Sequence, residues 1–108
     1  MKHSAFIGLG SNLLSPSEQV LQAMQAIGRL PDTRVVARSS LYRSAPVGYL
    51  EQPDFINAVV QVETALAPLA LLYALLALEQ ENGRTREFHN APRTLDLDVL
   101  LYDDLQHH

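Results

Sequence analysis

Two spacings of apolar residues alternate along this chain, one close to two residues and one close to four, and together they lay out the secondary structure. His3 to Leu9 is a short apolar run ending in Gly8-Leu9-Gly10-Ser11-Asn12, and reads as a strand followed by a loop. Ser15, Pro16 and Glu18 have the form of a helix start, with Ser15 as N-cap, Pro16 in the first turn and Glu18 completing a capping box. Val20, Met24 and Ile27, with Leu21 and Ala23 beside them, mark one apolar helix face, and Leu30-Pro31-Asp32 ends it. Thr33 to Tyr42 is rich in β-branched and apolar residues and predicts a second strand. Ser44 to Asp54 holds two prolines and a glycine and reads as a loop longer than a tight hairpin needs, which is a mark of functional loops. Phe55 to Thr64 alternates in part and predicts a third strand. Pro68 opens a leucine-rich helix through Leu69, Leu72, Leu75, Leu76 and Glu79, with Gly83 placed to cap its end. Thr94 to Tyr102 predicts a last strand, and the tail after Asp103 contains no apolar segment to close the domain.

The order β-α-β-β-α-β predicts an α+β fold, a ferredoxin-like split βαβ sandwich with two helices on one face of an antiparallel sheet. With 108 residues, 47% hydrophobic and 19% charged, residues 1–108 make a single globular domain with a core of its own. The chain has no cysteine, which excludes disulfides and thiolate metal sites and suits a reducing compartment. The run after Met1-Lys2-His3 is too short for a signal peptide or a membrane span, so the expected location is the cytoplasm.

Net charge narrows the ligand. At −4 the chain is not a general nucleic-acid binder. Yet Arg84, Arg86 and Arg93 fall within ten residues, and a local cationic loop in an acidic protein suits a small anion. Immediately after it comes Arg93-Thr94-Leu95-Asp96-Leu97-Asp98-Val99-Leu100-Leu101. On a strand Asp96 and Asp98 share a face, about 7 Å apart at the backbone, while Leu95, Leu97 and Val99 face a core. Paired carboxylates suit a hard divalent cation such as magnesium, which takes one or two of them and fills its shell with water and phosphate oxygens. The alternatives are a solvated sheet face or pairing with arginine. Guanidinium groups beside the pair bind phosphate bidentately and offset charge in phosphoryl transfer, or are merely solvated. Phe55 and Asn57 also share a strand face. They either stack on and hydrogen-bond a flat heterocycle or serve as a core aromatic and a strand asparagine. His89, His107 and His108 show no metal-ligand spacing, Tyr49 reads as a loop residue, and Gly8-Leu9-Gly10 is not a dinucleotide fingerprint.

His89-Asn90-Ala91-Pro92-Arg93-Thr94-Leu95-Asp96-Leu97-Asp98-Val99-Leu100-Leu101 resembles the signature of the 6-hydroxymethyl-7,8-dihydropterin pyrophosphokinases of the folate pathway. Ile7 to Asn12, Ser39 to Gly48, Gln52 to Ala58 and Glu79 to Arg86 add to the resemblance, which runs from the first strand to Tyr102. It implies transfer of a pyrophosphoryl group from magnesium ATP to the pterin hydroxymethyl, giving AMP and the pterin diphosphate. It also implies that Asp96 and Asp98 hold two magnesium ions, that Arg84 and Arg86 close over the triphosphate on a mobile loop, and that Arg93 anchors it. Glu79 would lie near the nucleotide. Ser44, Pro46 and Val47 would meet the pterin, Phe55 would stack on it and Asn57 would bond to it.

This sequence departs from the family at three points. The loop from Arg86 to Arg93 lacks the tryptophan of some members, Phe55 stands where tyrosine is common, and the C-terminal third of the family is absent. That third supplies a histidine, an arginine and a second aromatic against the pterin. Family members are typically monomers, whereas an uncovered apolar sheet surface here predicts self-association. The alternative function is an inactive fragment or a non-catalytic nucleotide- and metal-binding module of ferredoxin-like fold. An RNA-binding module would need more exposed aromatics than Phe55 provides.

Overall fold

The computed structural model describes residues 2–12, 15–45, 54–81, 95–103 and 105–106. Among these residues the elements are β1 (His3–Ser11), α1 (Pro16–Gly28), β2 (Thr33–Arg38), β3 (Tyr42–Ser44), β4 (Phe55–Thr64), α2 (Pro68–Glu81), β5 (Asp96–Tyr102) and β6 (Leu105–Gln106). The strands form one antiparallel sheet in the order β2-β4-β1-β5-β6, with β3 pairing the start of β4 beyond the end of β2. The first strand therefore lies between the third and last long strands, as the ferredoxin-like expectation requires.

One face of the sheet is apolar because each long strand alternates. Ala5, Ile7 and Leu9 of β1, Ala58, Val60 and Val62 of β4, and Leu97 of β5 are buried on it. Val20, Ala23, Met24 and Ile27 of α1 and Leu71, Leu75 and Leu78 of α2 close over it in the same cluster. Full burial of one such side chain contributes about 1.5–3 kcal/mol. The other face carries Phe6, Gly8 and Gly10 of β1 and their cross-strand neighbours.

Several local expectations change. The helix begins at Pro16 with Ser15 at its N-cap, as expected, but Ser15 takes a left-handed conformation with φ of 59° rather than the extended one usual for a capping residue. From there its side chain makes no cap hydrogen bond, so the capping box does not form. The strand expected over Thr33–Tyr42 is two. A bulge between Val35 and Ala37 bends β2, and Ser39 Oγ accepts from the Val59 amide before β3 begins. Ser44 closes β3, so it does not open the loop. Leu21 is 41% exposed, off the buried face of α1. On α2, Leu69 and Leu76 face outward while Leu71, Leu75 and Leu78 are buried. Residues 105–106 pair with β5, giving the chain end a short strand that its composition did not suggest. Gly83, the expected cap of α2, lies outside the described residues.

The turn after β5 is tied to the start of β1. Asp103 Oδ1 accepts from the Ser4 amide at 2.9 Å, Oδ2 accepts from His3 Nδ1 at 2.6 Å, and the Asp103 amide donates to the Ser4 carbonyl. The Ser4 amide, and then the His3 ring, hold the Asp103 carboxyl below its ordinary range. A carboxyl with a lowered folded pKa adds stability above its unfolded pKa of about 4 and loses it as pH falls through the folded value. Asp103→Asn is therefore expected to lower the melting temperature near neutral pH, with the gap from wild type closing below about pH 4. Melting curves from pH 2 to 7 check this, and a gap of constant size would refute it.

Candidate active site

The open face of β1 carries a strip with no side chains. Gly8 and Gly10 alternate with the buried Ile7 and Leu9, so both point their missing side chains away from the helices. In the sheet Gly10 lies between Asp96 of β5 and Asn57 of β4, and Tyr42 of β3 continues the row. In the next row Gly8 lies between Asp98 and Val59. A Cβ on Gly10 would come within 3.1 Å of Asn57 Oδ1, and one on Gly8 within 3.3 Å of Leu100 Cδ1. The glycines thus floor a cleft of about 430 Å³, walled by Asp96, Asp98 and Leu100 on one side and by Tyr42, Ser44, Phe55 and Asn57 on the other. The backbones of the two walls stand about 10 Å apart, two strand spacings. A volume of this order suits a small ligand held between polar and aromatic groups.

One wall is acidic. Asp96 is half-buried and Asp98 exposed, both on the cleft side, while Leu95 and Leu97 are buried behind them as the alternation predicts. A register shift between Phe6 and Ile7 leaves Leu100 opposite no residue of β1, and it stays on the cleft side beside Asp98. The shift also returns Tyr102 to the core, where its hydroxyl donates to the Leu66 carbonyl at 2.6 Å. Burial raises the phenol pKa, and neighbouring Asp103 adds to the rise. Among the described residues no third carboxylate, imidazole or thiol joins the two aspartates in a ligand cluster. Two carboxylates alone fit magnesium that arrives with a polyphosphate, whose oxygens and waters complete the shell, rather than a caged structural ion.

The opposite wall can read a flat polar molecule. Asn57 Nδ2 donates to Ser44 Oγ at 2.7 Å, which fixes the amide and leaves Oδ1 toward the glycine floor. Phe55, two residues along β4, shares this face and lines the cleft.

The structure thus brings Ser44, Phe55, Asn57, Asp96 and Asp98 to one cleft. Glu79 lies on the helix side of the sheet and is 4% exposed, and its Oε2 accepts from the Leu97 amide at 2.8 Å. Pro46, Val47, Arg84, Arg86 and Arg93 lie outside the described residues, as do Tyr49, His89, His107 and His108. Sequence reasoning missed Gly8, Gly10 and Tyr42 as parts of the cleft. The available signal was glycine at i and i+2 in an otherwise apolar strand, which strips one strand face and lets another group approach the backbone. Among the described residues no helix is long and apolar enough to cross a membrane.

Comparison with known proteins supports the fold and identifies the family. In a solved HPPK-DHPS structure determined with substrates, 95% of this chain and 28% of that chain superpose with a TM-score of 0.70 at 15% identity, a likeness of fold. The 2-amino-4-hydroxy-6-hydroxymethyldihydropteridine pyrophosphokinase of Pseudomonas aeruginosa is 51% identical over 104 residues, covering 96% of this chain and 64% of that protein. Proteins of the same name from Haemophilus influenzae and Pseudomonas putida are 50% and 52% identical, and the chain covers 62% and 82% of their lengths. The profile of the 7,8-dihydro-6-hydroxymethylpterin-pyrophosphokinase (HPPK) family matches residues 6–107, and the chain belongs to that family.

Proposed function

We propose that this chain carries the site that transfers pyrophosphate from magnesium ATP to 6-hydroxymethyl-7,8-dihydropterin, giving AMP and the pterin diphosphate for folate synthesis. The observation that carries this reading is the cleft itself, in which a carboxylate pair faces Phe55 and Asn57 across a glycine floor. Asp96 and Asp98 would hold the magnesium, and two ions are proposed. Bound there, magnesium offsets charge on the transferred group and orients the nucleotide phosphates. Phe55 stacks on the pterin ring and Asn57 hydrogen-bonds its edge, with Ser44, Pro46 and Val47 completing that side. Arg84, Arg86 and Arg93 supply cations for the triphosphate, and Glu79 bears on the nucleotide site from behind the aspartate strand.

The chemistry balances without a covalent enzyme intermediate. The pterin hydroxyl oxygen forms a bond to the β-phosphorus, the bond from that phosphorus to the bridging oxygen of AMP breaks, and the hydroxyl proton is released. Positioning and charge compensation supply most of the catalysis in such transfers. The bare glycine floor favours this, because Gly8 and Gly10 put no side chain between the aspartate wall and the wall of Phe55 and Asn57. The proposed compartment is the cytoplasm, which suits a cysteine-free chain.

The direct test is AMP release from magnesium ATP with and without the hydroxymethyl dihydropterin. Pterin-dependent AMP without ADP is the expected result. Binding of magnesium ATP with no AMP would instead mark a nucleotide- and metal-binding module. Asn57→Ala is expected to raise the KM for the pterin about tenfold or more, since the ring edge loses a hydrogen-bond partner. The ATP KM should stay near wild type, and an equal rise in both KM values would argue against the pterin assignment.

A further inference from the structure

Glu79 occupies a position that its own chemistry disfavours. It is 4% exposed, so an ionised carboxylate there is costly unless hydrogen-bonded. It also lies in the last turn of α2, where the helix dipole opposes negative charge. Leucine or alanine, abundant elsewhere on this helix, would avoid both costs. What the carboxylate does instead is take the amide of Leu97, at 2.8 Å.

Leu97 is the residue between Asp96 and Asp98. Amides along an antiparallel strand alternate in direction, so those of one set on β5 turn away from β1. Among the described residues β6 pairs only with Leu101 and Tyr102, further along the strand. The Leu97 amide therefore lies where no neighbouring described strand takes it, and a side chain from α2 does. An acceptor at this point holds the peptide unit between Asp96 and Leu97, and so fixes the angle at which Asp96 leaves the strand and steadies the start of the link to Asp98. Glu79 is not itself a ligand beside them, because no third acidic group joins the pair in a cluster among the described residues.

We infer that Glu79 is a positioning residue for the metal-binding carboxylates, acting through the Leu97 amide. This rests on the proposed metal role of Asp96 and Asp98 but not on turnover. A carboxylate bond to a backbone amide is charge-assisted and directional, so it fixes the local strand more tightly than a water would. Outer groups that orient metal ligands alter metal affinity by roughly 10- to 100-fold when removed.

The test uses this chain with Mn²⁺ as probe, read by electron paramagnetic resonance in the presence of ATP, together with hydrogen exchange at the Leu97 amide. Glu79→Ala is expected to weaken Mn²⁺ binding about tenfold or more and to speed Leu97 exchange. Glu79→Gln keeps an acceptor oxygen, so it should stay within about threefold of wild type and preserve the slow exchange. That rescue distinguishes positioning from a need for charge at the nucleotide. Unchanged Mn²⁺ affinity in a folded Glu79→Ala overturns the inference. So does wild-type Leu97 exchange as fast as an open edge amide, which is measurable even if the alanine variant fails to fold. Wild-type chain without Mn²⁺ affinity overturns both this inference and the metal assignment. Absence of AMP release with the Mn²⁺ results as expected sinks only the proposed reaction.

Discussion

Asp96→Ala and Asp98→Ala are expected to lower magnesium-dependent AMP release by about 10³-fold each, the equivalent of about 4 kcal/mol of transition-state stabilisation. The size follows from the geometry. Two carboxylates are the acidic groups gathered on this wall among the described residues, so removal of either would leave the proposed magnesium with one of its two aspartates. In the proposed site water would replace the lost oxygen poorly, because magnesium would no longer orient the phosphates against the wall. The fold should survive. Asp98 is exposed and Asp96 half-buried, both on the open side of the sheet, while their neighbours Leu95 and Leu97 keep the core. Like charges on one strand face repel, so the melting temperature should hold or rise slightly. Mn²⁺ titration and AMP release check the two parts separately. Full turnover in either variant would refute the metal role, and a large fall in melting temperature would mean that the aspartates are structural.

The second large effect concerns the floor of the cleft from beneath. Ile7→Ala is expected to cost about 2–5 kcal/mol, because Ile7 is fully buried and its removal leaves a cavity in the middle of the core. Domains of this size have a total stability of roughly 5–15 kcal/mol, so the variant should melt far below wild type. Ile7 also lies between Val60 and Val99 in the two central ladders, next to Gly8. A cavity there loosens the strand that sets Asp98 against Val59 and Asp96 against Asn57. Denaturant unfolding measures the cost. A loss under about 1 kcal/mol would show that the core around β1 collapses to fill the space.

Both predictions depend on facts of different origin. The alternation of aspartate and leucine on the last strand was legible in the sequence, because side-chain direction on a strand is a local property with period two. The structure keeps that division, with Leu95 and Leu97 buried and the aspartates on the other face. The span Phe55–Thr64 was legible for the same reason. The second helix was legible as a helix but not by face. Leucine recurs all round it, so its sequence does not say that Leu71, Leu75 and Leu78 turn inward while Leu69 and Leu76 turn out. The helix start at Ser15-Pro16 was legible, but the cap bond was not, because the left-handed backbone of Ser15 turns its side chain away from the helix amides.

By itself, the sequence determined the order of the four main strands and two helices, the antiparallel α+β class, the carboxylate pair and the family signature. These depend on near neighbours in the chain and on a motif read in one stretch. Tertiary structure alone decided that Gly10 lies between Asp96 and Asn57, that Asn57 is fixed by Ser44, and that Glu79 holds the Leu97 amide. Each of these is a pairing of residues distant in sequence, set by strand register and helix packing. A slip of one residue in strand register would turn Asn57 or Asp96 to the other face and break these pairings.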